Sequence, residues 1–283
     1  SRRCLAECYE ELAYSRLPFA LGARSLAPSL ALGGGTCVVW AEHLLAKLAR
    51  RGLRGHVVPG TLPDRYRRPY TPRGTLGHVA VVLVEESRVV LLDPCFEIAE
   101  PVRVPSAGSS APHHCGNIGT MRFELDRREH SIHGYLVHGE LSDPVPQVTY
   151  LLRPVINPWQ SITQPMNEAN RFISVVKWSA GCQKLCHLIV DTELAVLTDG
   201  ISGRSLACGE AAEDDEHFAL PGFQTAEASA TRLALREICA TLGVSEGSSE
   251  PEAEPAARRA PDAPRQRGAV SFRVQRDARV ELG

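Results

Sequence analysis

A cysteine, a histidine and an aspartate of this chain are placed so that they could act together on an acyl group. Cys37 follows three glycines and Thr36, and it opens a segment whose apolar residues recur with the period of a helix. The first turn of a helix has unpaired N–H groups and the positive end of the helix dipole, and both favour a thiolate. Cys37 is therefore a candidate nucleophile, although a core cysteine on a buried helix would give the same pattern.

Two apolar, β-branched runs predict a β-hairpin that carries the histidine and the acid. His78 opens the first run, and Asp93 closes the second, after a turn at Glu85-Glu86-Ser87. The two residues are 93 − 78 = 15 positions apart, and antiparallel pairing makes them neighbours, whereas a one-residue shift in register would separate them. In such a triad the histidine takes the thiol proton, and the acid fixes the imidazole tautomer. Backbone amides near Cys37 would hold the oxyanion, and the intermediate would be a thioester on Cys37.

The rest of the sequence predicts an α+β protein. A helix is expected over 4–14, the Cys37 helix is expected to run to about Arg51, and the most regular late helix covers 225–242. Strands are expected at 54–58, 78–84, 88–93, 102–104, 121–125, 135–137, 148–152, 172–178, 187–190 and 194–197. From Ser245 onward Glu, Ala, Pro, Ser and Arg dominate, so the stretch 245–283 is expected to be a disordered tail.

The composition narrows the class of protein and its partners. Of the 283 residues, 43% are apolar and 23% charged, which is typical of soluble globular proteins. The net charge of −2 gives no overall field for a nucleic acid or an anionic membrane, and no apolar run approaches the roughly 18 residues of a membrane span. Nine scattered cysteines do not form a disulfide framework, and the chain starts without a secretory leader. We therefore expect a cytoplasmic protein without nucleic-acid or membrane partners.

With these residues in place, the sequence resembles the arylamine N-acetyltransferases, a family within the papain-like and transglutaminase-like cysteine fold. The glycines before Cys37, the helix after it, the His-led strand and the strand ending at Asp93 carry the resemblance. Cys37 and His78 are 78 − 37 = 41 positions apart, which is similar to the separation of the cysteine and the histidine in the family. Leu17-Pro18-Phe19 resembles the family's Ile-Pro-Phe segment, and the elements within 172–242 resemble its C-terminal lid.

The resemblance implies both a fold and an activity. The fold is an α+β papain-like cysteine fold with a helical region at 1–60 that holds the nucleophile, an antiparallel β-barrel-like domain at 61–153 and an α/β lid at 154–244. The activity is transfer of an acetyl group from acetyl-CoA to a small-molecule amine through Cys37, His78 and Asp93, without a metal. Phe96 stands where the family has an aromatic residue of the substrate pocket.

The sequence also departs from the family. The family's pattern around the cysteine is Arg-Gly-Gly-x-Cys-x-Glu-x-Asn, and in this chain its Arg, Glu and Asn are replaced by Gly33, Val39 and Ala41. The family's pattern after the acid is Asp-x-Gly-Phe-Gly, and in this chain it becomes Asp93-Pro94-Cys95-Phe96-Glu97. Asp93-Pro94 and the helix after Gly-x-Cys also resemble transglutaminase-like domains, which implies an amidase or peptidase that does not use CoA. A catalytically degenerate binding module is a third interpretation.

Two further clusters contain metal-ligand residue types. Cys182-x3-Cys186-His187 has no second pair at a zinc spacing, and His113-His114-Cys115 is predicted to lie in a solvated loop.

Overall fold

The protein is described by a computed structural model over residues 1–20, 23–61, 77–85, 88–155, 157–159, 172–191, 194 and 196–207. Over these residues it is an α+β protein in which strands predominate. The helix expected at 225–242 and the tail expected at 245–283 lie outside the described residues. No helix in the described part of the chain is long and apolar enough to cross a membrane.

The helices of this part of the chain lie near its N-terminus, and most of the strands come after them. The helices are α1 (Arg2–Glu11), α2 (Leu17–Ala20), α3 (Leu26–Ala31) and α4 (Cys37–Ala49). The strands are β1 (Ala13–Ser15), β2 (Gly34–Gly35), β3 (Gly55–Thr61), β4 (His78–Glu85), β5 (Arg88–Leu92), β6 (Val102–Pro105), β7 (His113–Cys115), β8 (Gly119–Asp126), β9 (Ser131–His138), β10 (Leu141–Ser142), β11 (Val148–Leu151), β12 (Phe172–Trp178), β13 (Lys184–Asp191), β14 (Val196–Asp199) and β15 (Ser205–Ala207).

The first helix ends earlier than its sequence pattern predicts. Helix α1 stops at Glu11, and the backbone turns extended at Leu12 (φ −117°, ψ 147°) to enter β1. Long-range contacts override the local helix propensity here, because β1 pairs with both β2 and β12. Lys177 of β12, which is almost fully buried, donates from Nζ to the carbonyls of Glu10 (2.7 Å) and Leu12 (3.2 Å). Its charge therefore satisfies carbonyl groups at the C-terminus of α1 and stabilises the negative end of the helix dipole.

One sheet joins strands from the two ends of the described chain. Its order is β15-β14-β13-β12-β1-β2, with β1 and β2 parallel and the other pairs antiparallel. The sequence predicts a three-stranded meander in this region, and β15 extends it to four strands. The short strands β1 and β2 belong to the region expected at 1–60, so this sheet connects the residues just before Cys37 to the region expected at 154–244.

The second sheet is long and curls into a nearly closed barrel. Its order is β6-β5-β4-β3-β11-β9-β8-β7, and β10 pairs with β9. The curl brings the segment after β6 against β8, where Ser110 N donates to Phe123 O (2.8 Å) and Phe123 N donates to Ser110 Oγ (3.1 Å). The loop predicted for His113-His114-Cys115 is instead strand β7, because pairing with β8 satisfies its backbone.

Strand β4 is buried on both faces, which explains its nearly continuous apolar sequence. Val79, Val81 and Leu83 pack in a cluster with α1 and α4, whereas Ala80 and Val82 pack inside the barrel. Because side chains alternate along a strand, His78 projects on the barrel side at the end of β4. The helix that begins with Cys37 thus packs against the strand that begins with His78.

Candidate active site

Cys37 is the first residue of α4, and the glycines before it are required by close packing. Gly33 has a φ of +73°, which favours glycine. A Cβ atom on Gly34 would lie 2.3 Å from the carbonyl oxygen of Ala13, and one on Gly35 would lie 2.3 Å from Cγ2 of Val39. The glycine segment therefore lets the backbone approach β1 and α4 closely, and this approach fixes the position of the Cys37 side chain, which is 4% exposed.

Gly35→Ala should lower the free energy of unfolding by about 1–3 kcal/mol, because the new methyl group overlaps Val39. Gly77→Ala is a matched control, since a Cβ atom at Gly77 meets no atom within 4 Å and its φ is not positive. Urea denaturation of both variants measures the difference. Equal stability of the two variants would contradict the close approach at Gly35.

His78 and Asp93 contact each other at the open end of the hairpin. His78 Nε2 lies 2.5 Å from Asp93 Oδ2, and both side chains are buried. Val81 pairs with Leu92, so Ala80 is the position opposite Asp93, and His78 lies two residues further along. The register thus differs from the direct pairing that the sequence predicts, but an offset of two residues keeps both side chains on the same face.

Asp93 is fully buried, and each of its carboxylate oxygens accepts hydrogen bonds. Oδ1 accepts from the backbone N–H of Phe96 (3.0 Å), in a single 3-10 turn at Pro94–Phe96. Oδ2 accepts from His78 and from the hydroxyl of Tyr150 (2.7 Å). These donors satisfy the carboxylate oxygens, which would otherwise be costly to bury.

The environment of His78 favours the imidazolium form. Burial alone lowers the pKa of His78, but the charge of Asp93 and its hydrogen bond oppose this, and so does the neighbouring Cys37 side chain. Together they raise the pKa of His78 to about 10. Because Asp93 occupies Nε2, the other ring nitrogen, Nδ1, is the one available to Cys37. The structure therefore places Cys37 beside the hydrogen-bonded pair of His78 and Asp93, close enough to act on the pKa of His78.

Tyr150 is a site residue that the sequence alone does not indicate. It is fully buried on β11, and its ring centroid lies 6.2 Å from that of His78. Burial and the Asp93 charge raise the pKa of Tyr150 well above its ordinary value, so the hydroxyl stays protonated and donates to the carboxylate. Alternation along 148–151 places Tyr150 on the buried face, but nothing in the sequence indicates that its hydroxyl reaches Asp93.

Tyr9 fixes the backbone that comes after Asp93. It is fully buried on α1, and its hydroxyl lies within hydrogen-bonding distance of the carbonyl oxygens of Pro94 (2.9 Å) and Ile98 (3.1 Å). A tyrosine on the buried face of an amphipathic helix is ordinarily a packing residue, so only the structure shows this contact. Tyr9 therefore ties the acid-bearing loop to the helical region that holds Cys37.

The residues after Asp93 show how the chain accommodates its departure from Asp-x-Gly-Phe-Gly. Phe96 is buried beside His78, with ring centroids 6.0 Å apart. Glu97 stands at the last glycine of the pattern and adopts a left-handed conformation with φ +54°. Its buried carboxylate accepts hydrogen bonds from the backbone N–H (2.5 Å) and the side-chain amide (3.0 Å) of Asn117, and these bonds offset the strain.

Potential metal ligands meet away from this site. Among the described residues, Asp126, Glu129 and His133 at the β8–β9 turn have ligand atoms within 4.8 Å of one another, and Cys182, Cys186 and His187 form no such group. Both ring nitrogens of His133 are within hydrogen-bonding distance of hydroxyl oxygens at 2.9 Å. Asp126 accepts two backbone N–H groups of its own turn. Hydrogen bonds within the protein therefore already engage Asp126 and His133 of this group.

Comparisons with solved structures identify the fold. An arylamine N-acetyltransferase from Mycobacterium abscessus is similar at a TM-score of 0.52 and 15% identity, over 83% of this chain and 87% of that chain. An arylamine N-acetyltransferase from Mycobacterium smegmatis is similar at a TM-score of 0.53 and 14% identity, over 83% of this chain and 90% of that chain. An arylamine N-acetyltransferase from Bacillus cereus is similar at a TM-score of 0.50 and 16% identity, over 73% of this chain and 84% of that chain. A Cys-His-Glu catalytic triad is described for that enzyme.

Comparisons of the sequence alone find no significant match. No protein-family profile matches this chain, and no curated protein sequence matches it significantly. The likeness thus lies in the arrangement of helices and strands, and it extends over most of the chain in several bacterial enzymes. This protein has the fold of the arylamine N-acetyltransferases.

Proposed function

We propose that this protein is an acyltransferase that moves an acetyl group from acetyl-CoA to a small-molecule amine through a thioester on Cys37. The observation that carries the proposal is the buried, hydrogen-bonded pair of His78 and Asp93 beside Cys37, which is the first residue of α4. The fold adds support, because the solved structures that share it are arylamine N-acetyltransferases.

The first half-reaction loads the enzyme. The Cys37 thiolate attacks the carbonyl carbon of the acyl thioester, and the C–S bond to CoA breaks as the new C–S bond to Cys37 is completed. His78, which begins this step as the imidazolium, gives its proton to the departing CoA thiolate. The N–H groups of the first turn of α4 lie beside Cys37 and are suited to stabilise the oxyanion of the tetrahedral intermediate.

The second half-reaction transfers the acetyl group to the amine. The neutral amine attacks the Cys37 thioester, and His78, now neutral, accepts the proton that the amine nitrogen loses. Collapse of the intermediate forms the amide and releases the Cys37 thiolate, which restores the ion pair with His78. Asp93 keeps the Nε2 proton in place throughout, so that Nδ1 faces the reaction. Phe96, beside His78, is the aromatic residue that we assign to the acceptor pocket.

Intact-mass spectrometry tests the proposal directly. Incubation of the wild type with acetyl-CoA and no amine should give one acetyl adduct, which an aromatic amine then removes. Cys37→Ala should give no adduct, whereas Cys186→Ala should keep it, because Cys186 is a buried cysteine on β13, away from α4.

A different result would favour the other enzymatic interpretation. If the wild type forms no adduct but hydrolyses or exchanges a glutamine amide in a manner that depends on Cys37, acetyl transfer is wrong and the transglutaminase-like chemistry holds. If neither activity depends on Cys37, the protein is a binding module rather than an enzyme of this class.

A further inference from the structure

An open cavity of about 350 Å³ lies at the opposite end of β5 from the candidate active site. Arg88 begins the strand and Asp93 comes directly after its end, so the two positions are about 16 Å apart at roughly 3.3 Å per residue. The cavity is lined by Arg88, Arg103 and three serines of the loop after β6. None of these residues takes part in the proposed acetyl transfer.

The two arginines are placed to share one anion. Arg88 pairs with Pro105 and Val90 pairs with Arg103, so Arg88 and Arg103 are diagonal neighbours on one face of the sheet. Diagonal neighbours have Cα atoms about 7–8 Å apart, within the reach of long side chains. Arg103 is exposed and forms no ion pair with any described residue. Two guanidinium groups facing one space are expected to attract an anion.

The loop after β6 adds hydroxyl groups without filling the space. Its residues from Ser106 to Ser110 are small, and Gly108 has a φ of +78° with no atom near its potential Cβ. Ser109 donates to Glu124 (2.6 Å), and Ser110 donates to the carbonyl of Ala111. Ser106 has no hydrogen-bond partner within the described residues, so its hydroxyl is available to a ligand.

The charges around the cavity indicate which anions can bind. Arg88 is paired through Nε with Glu85, no described residue pairs with its terminal nitrogens, and Glu124 is held by Ser109. A ligand with a singly charged carboxylate would compete poorly with Glu85 and Glu124 for the two arginines. A dianionic phosphate can instead accept hydrogen bonds from both guanidinium groups and a hydroxyl at once. We propose that this cavity binds the phosphate group of a phosphorylated small molecule, with Arg103 as its principal ligand.

Isothermal titration calorimetry with glycerol 3-phosphate tests the site, with glycerol as the uncharged control. The wild type should bind glycerol 3-phosphate and not glycerol, and Arg103→Ala should weaken binding at least tenfold. Arg54→Ala is the matched control, because it removes the same charge at another exposed position, and it should bind like the wild type. Unchanged thermal unfolding and an unchanged alkylation rate of Cys37 in Arg103→Ala would show that the variant is folded.

Competition with CoA identifies the source of the phosphate. Displacement of glycerol 3-phosphate by CoA would assign the cavity to phosphates of the acyl donor, and lack of displacement would assign it to a separate phosphate ester. Equal affinity of Arg103→Ala and Arg54→Ala for glycerol 3-phosphate, or no binding by the wild type, would overturn the proposal.

Discussion

Alkylation of Cys37 by iodoacetamide at pH 7 should be roughly 10- to 30-fold slower in His78→Gln than in the wild type. A free thiol with a pKa of about 8.5 is only about 3% thiolate at this pH. In the wild type, His78, whose pKa is raised to about 10, carries a positive charge beside the Cys37 sulfur, and such a charge favours the reactive form of a thiol. Glutamine can still form a hydrogen bond, but it carries no charge, so this electrostatic activation of the sulfur is lost.

His43→Gln provides the matched control for this measurement. His43 is a buried histidine on the same helix, and it contacts Glu11 (2.7 Å) rather than Cys37. Alkylation of its Cys37 should match that of the wild type, with the labelled site identified by peptide mapping. Because both substitutions replace histidine with the same polar side chain, they separate the loss of the His78 charge from a general effect of the change. A wild-type rate in His78→Gln would show that His78 does not activate the thiol.

The sequence predicts the local elements of this site well. Helix α4 begins at Cys37, the hairpin places His78 and Asp93 on one face, and Gly52 ends the helix with a φ of +71°. Each of these features rests on a short-range pattern: hydrophobic period, turn residues or helix-terminating glycine. The α+β class follows from the same patterns, whereas the arylamine N-acetyltransferase fold is implied by the resemblance of the segments around Cys37, His78 and Asp93 to that family.

Other features could not be predicted because they depend on contacts between distant segments. The hydrogen bond from Tyr150 to Asp93 joins residues 57 positions apart, and the bond from Tyr9 to Pro94 joins residues 85 apart. Strand β1 overrides a good helical sequence because β12 pairs with it from the other end of the described chain. The buried lysine of β12, Lys177, likewise has no signature in its own strand and is explained only by the helix end that it satisfies.

Asp93→Asn should reduce acetyl transfer by roughly 10⁴-fold, the scale seen when the acid of a hydrolytic triad is made neutral. Without the Asp93 charge, burial dominates and the pKa of His78 falls, so the imidazolium is lost at neutral pH. The asparagine amide can also donate to Nε2, which would move the ring proton to Nδ1 and leave no acceptor facing Cys37. The rate of adduct formation from acetyl-CoA, followed by intact mass, measures the loss.

The same substitution should change how stability depends on pH. A raised pKa means that the folded protein holds the His78 proton more tightly than the unfolded chain does. The stabilisation of the folded protein by the His78 proton is therefore complete below about pH 6.5, and it is lost as the pH rises toward about 10. Urea denaturation across this range should show a decline in the wild type that is smaller in Asp93→Asn. A decline of the same size in both proteins would mean that Asp93 does not stabilise the imidazolium.

Tyr150→Phe separates the charge of Asp93 from its positioning. The variant removes one hydrogen bond to the carboxylate but keeps the charge and the contact with His78, so adduct formation should slow only by about ten- to a hundredfold. The wild-type decline of stability between pH 6.5 and 10 should largely remain, because it depends on the charge. A loss as large as that of Asp93→Asn would instead mean that Asp93 cannot act on His78 without Tyr150, and the buried acid would then depend on its hydrogen-bond donors as much as on its own charge.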